Sequence, residues 1–190
     1  MADTEDPHIR TVFVAGAGGF IGSRLVESLA RTPGLHVIAG YRREPDGPPH
    51  QGMETRRCDA TDLQAVTTAI RGIDYVVNCL AGSNRSMLAA TQTLCDAARA
   101  APPRRIVHLS SMAVYGNVSG VVSEQADLAA PCSGYGDAKR GCEQIMSAYV
   151  RDGGDAIILR PGCVYGPGSR QWTVGLAHLL RARRAGDLGA

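Results

Sequence analysis

The chain is short of lysine: Lys139 stands alone among twenty basic side chains, the rest of which are arginine. It is also short of aromatics, at 5% of 190 residues, and of charge of one sign, with eighteen acidic groups giving a formal net charge of +2. So small and evenly spread a balance gives no basic surface for nucleic acid or for a membrane face. No apolar run approaches the roughly 20 residues a membrane-spanning helix needs. The six cysteines lie singly, with no C-x-x-C pair, a pattern that a reducing cytoplasm suits and a zinc site does not, so no metal is expected. The polar, acidic opening MADTEDPH lacks the basic and apolar regions of a secretory signal. No internal repeat or low-complexity tract occurs.

What is present is an ordered alternation. Apolar runs at RTVFVA (10–15), LHVIAG (35–40), IDYVVNCL (73–80), RRIVHLSS (104–111) and AIILR (156–160) read as strands, and ETRRC (54–58) as a short one, third in order, six in all. Between them lie stretches of helical periodicity. One carries Ile21, Leu25 and Leu29. A second starts at the cap Asp62 and bears Leu63, Val66 and Ile70. An alanine-rich third runs from about Asn84 to the prolines at 102 and 103, and a fourth contains Tyr135, Lys139, Cys142, Ile145, Met146 and Tyr149 before ending at Gly153. Residues 41–53, rich in Pro and Gly, are a loop, as is the segment holding VYGN; 171–184 reads as one more helix. Continuous apolar strands alternating with helices mean an α/β fold, a doubly wound parallel sheet of the Rossmann kind covered on both faces. The organisation expected is a tail over residues 1–9, a dinucleotide-binding domain over 10–170, and the start of a truncated C-terminal substrate region over 171–190.

The stretch GAGGFIG sets Gly16, Gly19 and Gly22 three apart between the first strand and the first helix. The first glycine allows the tight turn, the second lets the backbone approach a pyrophosphate and the third lets helix pack on strand, with Phe20 and Ile21 opening the helix. At the end of the second strand, where an acidic residue would accept from a ribose hydroxyl, stand Arg42 and Arg43, suited to a ribose 2′-phosphate. NADP is therefore favoured over NAD.

Residues four apart on a helix share a face, so Tyr135 and Lys139 point into one space. A lysine ammonium can hold two sugar hydroxyls and stabilise a neighbouring phenolate as a point charge. A free phenol ionises near pH 10, and bringing that to neutrality takes about 4 kcal/mol of preferential stabilisation. A hydroxyl at the end of the fifth strand, Ser110 or Ser111, completes the set, since doubly wound sheets bind ligands at their strand ends.

GAGGFIG, CDATD, LSSMAVYG, YGDAK and LRPGCVYGPG, in that order over about residues 10–170, resemble the extended short-chain dehydrogenases/reductases, the NAD-dependent epimerase/dehydratase family. The resemblance implies that Tyr135 is the acid/base, Lys139 the ribose anchor and Ser111 the hydroxyl that polarises the substrate. It also implies that Asp59, with Ala60 beside it, meets the adenine, that Asn78 and Ala81 line the cofactor cleft, that the substrate is a nucleotide sugar or related ketone or alcohol, and that a homodimer forms. Relatives that remove water from a nucleotide sugar carry an acidic pair where this chain has Met112 and Ala113, which cannot move protons, so epimerisation or ketone reduction is expected instead. A cofactor-binding module without activity of its own is the competing reading. His108 reads as a packed core histidine, while Tyr165 and Trp172 either cover the substrate or close the core edge. Arg160 is explained equally by a ligand at the sheet edge or by an ion pair.

Overall fold

Six parallel strands form the centre of the fold: β1 (Arg10–Ala15), β2 (Leu35–Tyr41), β3 (Met53–Arg57), β4 (Tyr75–Asn78), β5 (Arg105–Leu109) and β6 (Ala156–Leu159), in the spatial order β3-β2-β1-β4-β5-β6. The computed structural model describes residues 9–43, 52–128 and 131–184. Much of the loop expected over 41–53, together with the tail and the last residues of the chain, lies outside the described residues. The helices are α1 (Phe20–Ala30), α2 (Leu63–Ile70), α3 (Asn84–Ala100), α4 (Gly134–Arg151) and α5 (Gly175–Arg181). The α/β, doubly wound reading therefore holds.

Alternation along β1 separates the two layers. Phe13 and Ala15 point to the side that holds α2, α3 and α4, packing with Val66, Ile70, Leu94 and Met146. Val12 and Val14 point to the other side, with Val26 of α1 and Val37 and Ala39 of β2. Central strands so placed must be apolar throughout, which is why RTVFVA reads as an unbroken run. At β6 the pattern changes. Ile158 packs against the layer of α2, α3 and α4, whereas Ile157 and Leu159 are 40% and 48% exposed on the opposite face. Cover on both faces is thus complete over the central strands and one-sided at this edge.

Caps set where the helices begin. Asp62 accepts from the main-chain N–H groups of Gln64 and Ala65, Ser83 from Ser86, and Ser133 from Gly136. Such caps satisfy donors that the first helical turn leaves unpaired. In contrast, α1 begins at Gly19 with no side-chain cap. Two segments differ in kind from the expectation. Residues Met112–Tyr115 form a 3-10 helical turn where a loop was expected, because the Ser111 hydroxyl accepts from Ala113 N–H at 3.1 Å and caps it. The helix expected over 171–184 starts as a π-helical turn, Arg170–Val174, capped by Ser169, before α5 continues it.

Candidate active site

Strand order reverses between β1 and its two neighbours, β2 and β4, and the crevice outside their C-terminal ends is where such sheets take ligands. A cleft of about 660 Å³ opens there. Its floor and walls bring together Gly16 and Gly19 after β1, Arg42 and Arg43 after β2, Asp59 and Ala60 after β3, and Ala81 after β4. These residues were singled out from separate motifs, and the fold gathers them at one place.

The glycine loop has the geometry of a cradle. Gly16 sits at φ +83°, and a Cβ there would lie 2.9 Å from the carbonyl oxygen of Cys79. A Cβ on Gly22 would strike the Gly16 carbonyl. The loop is closed by Gly19 N–H donating to Gly16 O at 3.0 Å. The glycines themselves add no side chain to the turn, and the uncapped start of α1 leaves N–H groups and positive partial charge for an anion. These residues fit the pyrophosphate of a dinucleotide. Phe20 and Ile21 stand just behind, in the first turn of α1; the Phe20 ring lies under the Arg24 guanidinium at 4.0 Å.

Asp59 has two roles open to it. Its Oδ1 accepts from Thr61 N–H at 2.9 Å and from Thr61 Oγ1 at 2.8 Å, and these bonds hold the carboxyl below the usual carboxylate range. It is thus a turn cap as well as a cleft residue. Asn78 is buried and does not line the cleft: its Nδ2 lies 3.0 Å from His108 Nδ1, and its Oδ1 accepts from Leu80 N–H at 3.1 Å. His108 is the packed core histidine that was expected. Residues the motifs did not single out also line the cleft, among them Gly18, Tyr41, Ser83 and Met87. The start of a helix following a strand at the reversal point was a signal available for Ser83.

Ser111, Tyr135 and Lys139 lie outside that cleft, on the side of β5 and α4. Lys139 is only 4% exposed and its ammonium donates to the main-chain oxygen of Leu109, the last residue of β5, at 2.8 Å. Burial pushes its pKa below the ordinary lysine value. One turn earlier on the same helix, Tyr135 is 44% exposed. Ser111 begins the 3-10 turn, and α4 is fastened to that turn by Arg140, whose Nε donates to Val114 O at 2.7 Å. A more open hollow of about 360 Å³ lies between the turn and the start of α4, lined by Ala113, Gly116, Asn117, Pro131, Cys132 and Ser133. The three residues thus occupy adjoining elements at the C-terminal edge of the sheet, beside a recess.

Other polar groups settle into structural roles. Burial pushes the Cys79 thiol up to about 11, which makes it a poor nucleophile at neutral pH. Tyr165 and Trp172 are 80% and 46% exposed, so neither closes the core edge. Arg160 makes an ion pair with Glu143.

Comparison with known proteins shows the family and the fold. The model of the NAD dependent epimerase/dehydratase family matches residues 12–186. The dTDP-6-deoxy-L-talose 4-dehydrogenase (NAD(P)(+)) of Kitasatospora kifunensis is 32% identical over 93% of this chain and 60% of its own. The 2-alkyl-3-oxoalkanoate reductase of Stenotrophomonas maltophilia is 28% identical over 91% of this chain and 56% of its own. Among solved structures, UDP-glucuronic acid 4-epimerase from Bacillus cereus, in complex with UDP-glucuronic acid and NAD, superposes with a TM-score of 0.72 at 26% identity, covering 83% of this chain and 58% of that one. The chain spans about half the length of the curated relatives it matches.

Proposed function

The chain belongs to the NAD-dependent epimerase/dehydratase family, and we propose that it binds NADP, or NAD less tightly, and interconverts an alcohol and a ketone on a nucleotide sugar or a related small molecule. The observation that carries this reading is the seat of Lys139: a buried ammonium at the end of β5, one helical turn from Tyr135 and beside the turn begun by Ser111, at the same sheet edge as the glycine cradle.

Each residue then has a task. The loop from Gly16 to Gly22 and the start of α1 receive the pyrophosphate, Arg42 and Arg43 pair with a ribose 2′-phosphate, and Asp59 and Ala60 border the adenine. Lys139 holds ribose hydroxyls. Tyr135 gives or takes a proton at the substrate oxygen through Oη, and the Ser111 hydroxyl donates a hydrogen bond to that same oxygen. The bound dinucleotide supplies the acceptor or donor of hydride. Met112 and Ala113 carry no group able to transfer protons, so removal of water is not part of the proposed reaction. The relatives above are named for oxidation, reduction or epimerisation at such carbons, which supports the substrate class. The six cysteines are free, which supports a cytoplasmic setting, and a homodimer belongs to the same reading.

The test is turnover with each nicotinamide cofactor against UDP- and dTDP-sugars and 3-oxoalkanoates, read from the absorbance of the reduced ring. Tyr135→Phe should lower turnover by about 10²-fold or more while leaving cofactor affinity in place. A second reading, a cofactor-binding module, is favoured by the position of Ser111, Tyr135 and Lys139 outside the cleft that Gly16, Arg42 and Asp59 line. Cofactor binding without turnover on any substrate would decide for it.

A further inference from the structure

Arg160 is the first residue after β6, and its guanidinium meets three separate parts of the molecule. Nε and Nη2 donate to the two carboxylate oxygens of Glu143 on α4 at 3.0 and 2.7 Å, a bidentate pair. Nη1 donates to the Tyr115 hydroxyl at 2.7 Å and to the main-chain oxygen of Glu124 at 3.0 Å. The guanidinium carbon also stands 5.0 Å from the centre of the Tyr115 ring. Glu143 is buried and the arginine side chain is 22% exposed, so water screens this pair weakly.

The partners matter because of where they sit. Glu143 follows Lys139 by four residues and Tyr135 by eight on α4, one and two turns along. Tyr115 closes the 3-10 turn that Ser111 opens. One planar cation therefore connects β6, the helix carrying Tyr135 and Lys139, and the turn carrying Ser111. Guanidinium is suited to this, since its fork fixes direction as well as distance.

We propose that Arg160 is a positioning residue: through Glu143 and Tyr115 it sets the height and rotation at which Tyr135 and Lys139 on α4 face the Ser111 turn. The functional half of the inference rests on the acid/base reading above. The positional half does not, because Lys139 reports on it directly. A helix released by about 1 Å would cost orders of magnitude in rate without any change in the reacting groups themselves.

Lysine occurs once in this chain, so isotope labelling of lysine at Cε gives a single side-chain NMR signal that can be read with no substrate or cofactor present. Arg160→Gln and Glu143→Gln should both shift that signal and both raise its titration midpoint toward that of an exposed lysine, because each frees α4 and lets the ammonium reach water. Charge acting alone gives opposite signs, since loss of the cation raises the midpoint and loss of the carboxylate lowers it. A fall in Glu143→Gln, or an unmoved signal in both variants, overturns the proposal. Tyr115→Phe keeps both charges and removes one bond. It should move the signal in the same sense by less, and it decides the matter if the charge variants fail to fold.

In the cofactor-loaded protein, Arg160→Gln should lower kcat at saturating cofactor at least tenfold with substrate KM within about twofold, and should weaken cofactor binding because the ribose anchor Lys139 moves with α4. Unchanged turnover per folded molecule would mean a purely structural tie and would overturn the functional half. Turnover that survives Tyr135→Phe would overturn the acid/base reading instead, and the lysine signal would still decide whether Arg160 places α4.

Discussion

The side-chain amide of Asn78 donates to Nδ1 of His108 at 3.0 Å, inside the sheet layer where β4 and β5 run side by side. Asn78 Oδ1 already accepts from Leu80 N–H, so its NH₂ group is the one turned toward the imidazole. Nδ1 of His108 is then the acceptor and Nε2 carries the proton, buried with no hydrogen-bond partner among the described residues. Protonating Nδ1 would set two donors against each other.

That arrangement gives a pH dependence with a definite sign. Burial first, and the nearby Lys139 ammonium second, push the His108 pKa down to about 4. An unfolded histidine titrates near 6.5, so the unfolded chain binds the extra proton first. Stability is complete above about 6.5 and is lost as pH falls from there toward about 4, by about 3 kcal/mol if this group acts alone. Urea unfolding at pH steps across that window should reveal the slope, and His108→Gln should flatten it. Carboxylates such as Asp59 and Asp74, held low by their hydrogen bonds, add their losses only at lower pH. A wild-type profile already flat between those limits would contradict the assignment.

Gly22→Ala places a methyl group against the carbonyl of Gly16, where neither backbone segment can yield cheaply. The expected result is a destabilisation of about 1 to 3 kcal/mol and a loss of cofactor affinity larger than that of Gly18→Ala. The nearest obstacle at Gly18 is the Tyr41 ring at 3.4 Å, which can turn aside. Thermal unfolding and cofactor fluorescence titration on the two variants make the comparison.

Arg42 and Arg43 are both exposed at the cleft, and charge-assisted bonds to a phosphate are worth about 1.5 to 3 kcal/mol each. Replacing both with alanine should weaken NADP binding by about tenfold or more and leave NAD affinity nearly unchanged. Calorimetry with the two cofactors measures the ratio. Equal losses for both would place the arginines outside any contact with the 2′-phosphate.

Much of this molecule was readable from local pattern. Unbroken apolar runs such as RTVFVA and LHVIAG announce strands buried on both faces, and Asp62 announces the start of α2 through a cap that needs only its own neighbours. The glycine loop was equally plain from its spacing, although the carbonyl that crowds Gly16 belongs to Cys79, just after β4. The turn capped by Ser111 was not, since VYGN carries a loop's composition and the cap depends on a single rotamer.

Long-range partnerships lay beyond such reading. Whether Asn78 would line the cleft or turn inward depended on His108, thirty residues away on the next strand. Arg160 gave no local sign of choosing Glu143 over a surface partner, and nothing near Tyr115 foretold a guanidinium. Periodicity along the chain specifies which face of each element is apolar, because burial of that face dominates its energy. The choice of partner for each buried charge and amide was made by packing, which brings distant backbones to within hydrogen-bond range and excludes the water that would otherwise satisfy them.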